Sequence, residues 1–133
     1  MQELDRLLAT RIVSTPSALD GVVRAVHELP LQAVVMRTAP DEMLIFPPQP
    51  DLTVADEHAI VIEDTGWAGG WFSAEEALDF LSRQAEWEIP SERPAFAQGS
   101  VAGVATKMYF EEDRVFFVVP APYSAEMADR MNH

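Results

Sequence analysis

Pro94-Ala95-Phe96-Ala97-Gln98-Gly99-Ser100, then Val101 to Phe110, Glu111-Glu112-Asp113, Val115 to Val119 and Pro120-Ala121-Pro122 form the stretch that decides the fold. It reads as a loop, a strand, an acidic turn, a second strand and a closing helix that reaches Met131. Val115 to Val119 is apolar throughout, as a strand buried on both faces must be. This stretch offers a hairpin and a docking helix. It offers no nucleophile, metal cluster or phosphate loop, so it speaks for architecture more than for chemistry.

Working back from Pro94, residues 86–100 read as irregular, broken by Pro90 and Pro94. Before them Ser73-Ala74-Glu75-Glu76 is a capping-box pattern, in which the Ser73 hydroxyl accepts from the amide of Glu76. Ala77, Leu78, Leu81 and Ala85 form the apolar stripe of the helix that follows, with Phe80 at its margin. Ala59 to Glu63 reads as a central strand, Asp64-Thr65-Gly66 as a turn or bulge, and Trp67 to Phe72 as the next strand. Alternation puts Trp67, Gly69 and Trp71 on one face.

Further upstream, Pro47 to Asp51 is too proline-rich to join a sheet, and 47–57 reads as an internal loop. Leu31 to Arg37 and Met43 to Phe46 make a hairpin around Ala39-Pro40-Asp41. Residues 16–28 form a helix with Pro16 at its first position, after Ser14 or Thr15. Residues 2–10 read as a short helix or an arm, so that 1–15 stands apart from the core. Strands in antiparallel order with helices between them give an α+β class: one domain over 1–133, an antiparallel sheet with packed helices.

Composition narrows the function classes. The 133 residues carry a formal charge of −13. A phosphate backbone or an anionic bilayer surface would be repelled, so neither nucleic acid nor membrane is an expected partner. A docking face for a basic protein surface fits the charge, beside the plainer reading of a solubilising surface. There is no cysteine, which removes disulfides and thiol chemistry and suits a reducing, cytoplasmic setting. Residues 1–8 lack the basic and apolar pattern of a secretory signal.

Candidate chemistry is sparse. His27, His58 and His133 are isolated in sequence, without the i,i+4 spacing of a helical metal pair. Glu63-Asp64 at a strand end could be an acid and a base, but no partner group is visible. Glu111-Glu112-Asp113 lacks the alternating ligands of a calcium loop. Gly66-Trp67-Ala68-Gly69-Gly70 lacks phosphate-loop spacing. Ser14, Ser17 and Ser100 sit in no nucleophile elbow, and Lys107, in a strand, reads as an edge residue that snorkels. Trp67, Trp71 and Phe72 are the candidates for an interface or a ligand-stacking face.

Taken in order, these elements resemble the gamma subunits of sarcosine oxidase. Ala39-Pro40-Asp41-Glu42-Met43-Leu44-Ile45 resembles that family's Gly-Pro-Asp-Glu-Trp-Leu-Leu hairpin. Ala59 to Asp64 resembles its apolar strand ending in aspartate, and Trp67 to Leu81 its next strand and helix. Pro94 to Ser100 resembles its proline, phenylalanine and glycine loop. The closing strands and helix are similar to the wider glycine-cleavage T-protein superfamily, and the resemblance spans about residues 31–131.

It implies a T-protein-like, folate-binding-domain fold in a non-catalytic subunit or accessory domain of an amine-oxidising, one-carbon complex. Larger flavoprotein subunits are then the partners. Flavin, dinucleotide and folate belong mainly to those subunits and zinc to the small one, so this chain alone holds no cofactor, folate being the nearest possibility. No catalytic, cofactor-binding or metal residue is carried over. Two alternatives stay open: a small folate-dependent aminomethyltransferase using Asp64, and a homo-oligomeric module that holds a small ligand near Trp67 and Trp71.

Overall fold

A computed structural model describes residues 4–30 and 32–132. Gln2, Glu3, Leu31 and His133, on which some expectations above fall, lie outside the described residues. Over the described residues the protein is α+β, with seven strands in antiparallel pairings and three α-helices. It divides into two compact units, Leu7–Thr65 and Met1–Arg6 with Gly66–His133. The boundaries fall within the first strand, β1 (Asp5–Val13), and the fourth, β4 (Ile60–Ser73).

In the Leu7–Thr65 unit the strand order is β2 (Val34–Ala39), β3 (Glu42–Phe46), β1. Helix α1 (Pro16–His27) covers one face of this sheet. It starts as the sequence dictates. Thr15 is the N-cap, its hydroxyl accepting from the Ala18 N–H at 3.2 Å, and Pro16 takes the first helical position. Leu19, Val22 and Val26 recur on one stripe and pack with Ile12, Met43 and Ile45. Pairing of Ile12 with Met43 and of Val35 with Ile45 places these strand residues under the helix.

Residues 2–10 are not helical over their described part. Asp5–Val13 is a strand, and Thr10 to Val13 pair with β3. The proline-rich loop after Phe46 stays out of the sheet as expected. It is held by two polar side chains of low exposure. The Thr10 hydroxyl accepts from the Gln49 N–H at 2.7 Å, and the Ser14 hydroxyl donates to Asp56 Oδ2 at 2.6 Å.

In the other unit the order is β4, β7 (Arg114–Pro120), β6 (Val104–Phe110), β5 (Ala95–Val101). Helices α2 (Ala74–Gln84) and α3 (Ser124–Met131) cover one face. The core there joins Phe72, Phe80, Met108, Phe110, Phe117 and Met127. Phe117 meets Phe72 and Phe80 edge-on at 5.6 and 6.3 Å, a favoured aromatic geometry. Ser73 caps α2, accepting from the Glu76 N–H at 3.2 Å. Val115–Val119 is buried and sits between β4 and β6, as its composition requires.

Several expectations are corrected here. Asp64-Thr65-Gly66 is no turn: β4 runs unbroken through it. Residues 95–101 are a strand, because the chain after Pro94 pairs with β6 from Ala95↔Phe110 to Val101↔Val104. Val101 to Phe110 is therefore interrupted by a two-residue turn. Ala102 (φ 51°) and Gly103 (φ 80°) both lie in the left-handed region that a tight hairpin of this hand requires. On α2, Phe80 is fully buried, and Leu78 is the exposed residue. The helix is rotated so that the larger ring reaches Phe117. Finally, Ile60 to Glu63 belong to β4, an interior strand in the sheet order as expected, but this part of the strand is not covered. Ile60, Val61 and Ile62 are all exposed.

Candidate functional site

Strand alternation in the Gly66–His133 unit gathers a second set of side chains on the face opposite α2 and α3. Trp67 and Trp71 come from β4, Phe116 from β7, Lys107 and Tyr109 from β6, and Gln98 from β5. Registry aligns them: Trp71 pairs with Phe116, Phe116 with Tyr109, and Lys107 with Gln98.

Two cations lie on the two tryptophans. The Arg114 guanidinium carbon is 3.7 Å from the centre of the Trp71 ring, and Phe116 lies on Trp71 at 5.0 Å. Arg114 is aimed by Glu111, which accepts from its Nε at 2.6 Å across the acidic turn. The Lys107 ammonium is 5.1 Å from the Trp67 ring centre and 3.4 Å from Gln98 Oε1. Lys107 is thus on an interior strand of this sheet, not at an edge as its sequence context suggests. Each such cation–ring pair contributes about 0.5–2 kcal/mol, more as water is excluded. The Trp67 indole N–H is buried and donates to no acceptor among the described residues.

Of the three candidates, Trp67 and Trp71 share this face and are half-buried. Phe72 points the other way, into the helix-covered core. Beside Lys107, the β5–β6 hairpin forms an open depression of about 470 Å³ that includes Gln98, Ser100 and Thr106. Burial, then the nearby Glu111, raises the Tyr109 phenol above its ordinary value, so it stays protonated at neutral pH and cannot serve as a base.

The remaining candidates are engaged in holding the fold. The Ser14 hydroxyl donates a hydrogen bond directly to Asp56, so the pair is a staple for the loop. Asp56 also accepts from the His58 N–H at 3.0 Å, and these bonds, Ser14 first, hold its carboxyl below the usual range. Glu42 binds Arg11 at 2.6 Å, and its hydrogen bond and charge raise the Arg11 guanidinium further; Glu42 also accepts from the Thr38 hydroxyl at 2.6 Å. Asp64 is half-buried, and its charge also favours the Arg11 cation. Arg37 donates to Asp20 and to the carbonyls of Pro16 and Pro40, tying the start of α1 to the β2–β3 turn.

His27 and His58 are exposed. Among the described residues no group of three or more His, Asp or Glu could hold a metal ion. Among the same residues no helix is long and apolar enough to cross a membrane. The sequence reading missed both cation–ring pairs. Their signal was the alternation of Trp67 and Trp71 along β4, but their partners lie about forty residues away, and only the registry identifies them. Comparison with family models, curated proteins and solved structures returns no match to this chain.

Proposed function

We propose that this chain is a non-catalytic accessory subunit, gamma-like in the sense of the sarcosine oxidase family, that seats against a larger flavoprotein in an amine-oxidising, one-carbon complex. The T-protein-like reading of the fold belongs to this proposal and rests on the resemblance of residues 31–131. The observation that carries the accessory role is the exposed run Ile60-Val61-Ile62. Ile60 and Ile62, two strand positions apart on one face, are both bare to water, and neighbouring exposed apolar side chains mark interaction sites. The engagement of Ser14, Asp56, Glu42 and Arg114 in contacts that hold the fold supports the non-catalytic part of the reading. The charge of −13 favours a protein partner over nucleic acid or an anionic lipid surface. A cytoplasmic setting goes with the same reading.

The test is isolation of the tagged chain at native abundance from its own cell, with size, composition and flavin absorbance followed together. The expected result is a stoichiometric complex whose larger subunit carries flavin. A chain that runs alone as a monomer refutes the proposal. A second reading, a module for a small anionic ligand such as the glutamate tail of a folate, is favoured by Lys107 beside the open depression. Saturable thermal stabilisation by folate, lost in Lys107→Met, would select it.

A further inference from the structure

We infer that the first part of β4, from Ile60 to Asp64, is the seat for a partner protein whose apolar contact is ringed by lysine or arginine. This rests on the accessory-subunit reading and adds the surface and its chemistry. Ile60 is 54% exposed, Val61 42% and Ile62 45%. Successive strand side chains point to opposite faces. Ile60 and Ile62 therefore share one face and Val61 takes the other. A strand packed on one side would bury one of these sets; here both are open. Leu8, in the same unit, is exposed as well. The contrast is with Val115–Val119, equally apolar and wholly buried.

The rim of this patch is acidic. Next to the run in sequence stand Glu57, Glu63 and Asp64, of which Asp64 also acts on the Arg11 cation. Glu63, directly after the apolar run and on the Val61 face, is exposed. Upstream, Glu57 is exposed beside an equally exposed His58. A second copy of the chain would bring a second acidic rim and another −13 against the first, which repels. A partner with basic residues around an apolar centre gains at both the centre and the rim. The acidic rim also attracts such a partner over distance and speeds its encounter.

The complex isolated from the native cell gives the test, with Ile62→Asp and Glu63→Lys as variants. Both positions are exposed, and an unchanged melting temperature of each variant confirms folding. Recovery of a protein does not count by itself. The inference expects Ile62→Asp to weaken binding about 30-fold or more, as at a buried contact centre. It expects Glu63→Lys to weaken binding several-fold in 50 mM salt and to lose that effect in about 1 M salt. It also expects the amides of Ile60 to Asp64 to gain protection from hydrogen exchange in the complex. If the flavoprotein binds Ile62→Asp as tightly as wild type, the seat lies elsewhere while the accessory role stands. Tighter binding by Glu63→Lys overturns the basic rim. A homodimer broken by Ile62→Asp makes a second copy the occupant and overturns the inference. A partnerless monomer removes both the inference and the role beneath it.

Discussion

Gly99→Ala is the sharpest single perturbation that the structure defines. A Cβ at Gly99 would stand 2.8 Å from Cε2 of Trp87, 2.9 Å from its Nε1 and 3.1 Å from its Cζ2. The indole is rigid, and its N–H donates to the Ser100 carbonyl at 2.9 Å, so it cannot yield without giving up that bond. Loss of the bond costs about 1 kcal/mol. Overpacking adds about 1–3 kcal/mol. Alanine narrows the unfolded ensemble and offsets about 0.4–1 kcal/mol. The net is a destabilisation of about 1–3 kcal/mol, or about 5–10 °C in melting temperature for a chain of this size. Thermal melts followed by circular dichroism measure it, alone and in a Trp87→Ala background. With the indole gone, Gly99→Ala should be close to neutral. An equal drop in both backgrounds, or no drop in the native one, refutes the assignment of this glycine to the Trp87 contact.

Trp71→Ala removes the contacts to Phe116 and Arg114, and we expect a loss of about 2–3 kcal/mol with unchanged mass by light scattering; an unchanged melt with a change in mass would place Trp71 at an interface instead. Ala102→Asn creates the Asn-Gly pair that a tight hairpin turn favours and relieves a left-handed alanine, so denaturant unfolding should show a gain of about 0.5–1 kcal/mol; a loss would mean that the turn is of another kind. Asp56 has a lowered folded pKa, so its contribution is present above the ordinary carboxylate range and is lost as pH falls through the folded value. Ser14→Ala should therefore raise the Asp56 pKa in carboxyl NMR titration, and its stability deficit should shrink on acidification; a deficit constant down to pH 2 argues against the Ser14–Asp56 bond as its source.

Local chemistry was legible in the sequence, and non-local registry was not. Thr15 and Ser73 reveal the starts of α1 and α2 because a cap and its amide lie within three residues. The β2–β3 and β6–β7 hairpins are legible for the same reason of proximity. β5 was hidden because it follows Pro94 and holds Gln98, Gly99 and Ser100, poor strand formers that only pairing with β6 holds extended. Helical spacing alone placed Leu78 on the stripe and Phe80 at its edge, while the position of Phe117 decides which of them is buried. Ile60 to Ile62 show the limit most clearly. Apolar identity says that a strand needs a cover, and it does not say whether this chain supplies one. At the candidate site Trp67 and Trp71 were legible as residues, but Lys107 and Arg114 as their partners were not.

Lys107 is the one lysine in the 133 residues, which gives amine-directed chemistry a single side-chain target. Acylation or reductive methylation of an ε-amine requires the nitrogen to reach reagent in solution. Here that nitrogen rests over the Trp67 ring and against the Gln98 amide oxygen. Its labelling rate therefore reports how readily the ammonium leaves the Trp67 ring and the Gln98 oxygen. Acylation, which abolishes the positive charge over the ring, would register in Trp67 fluorescence. One reagent thus times a local motion in an otherwise unmodified protein.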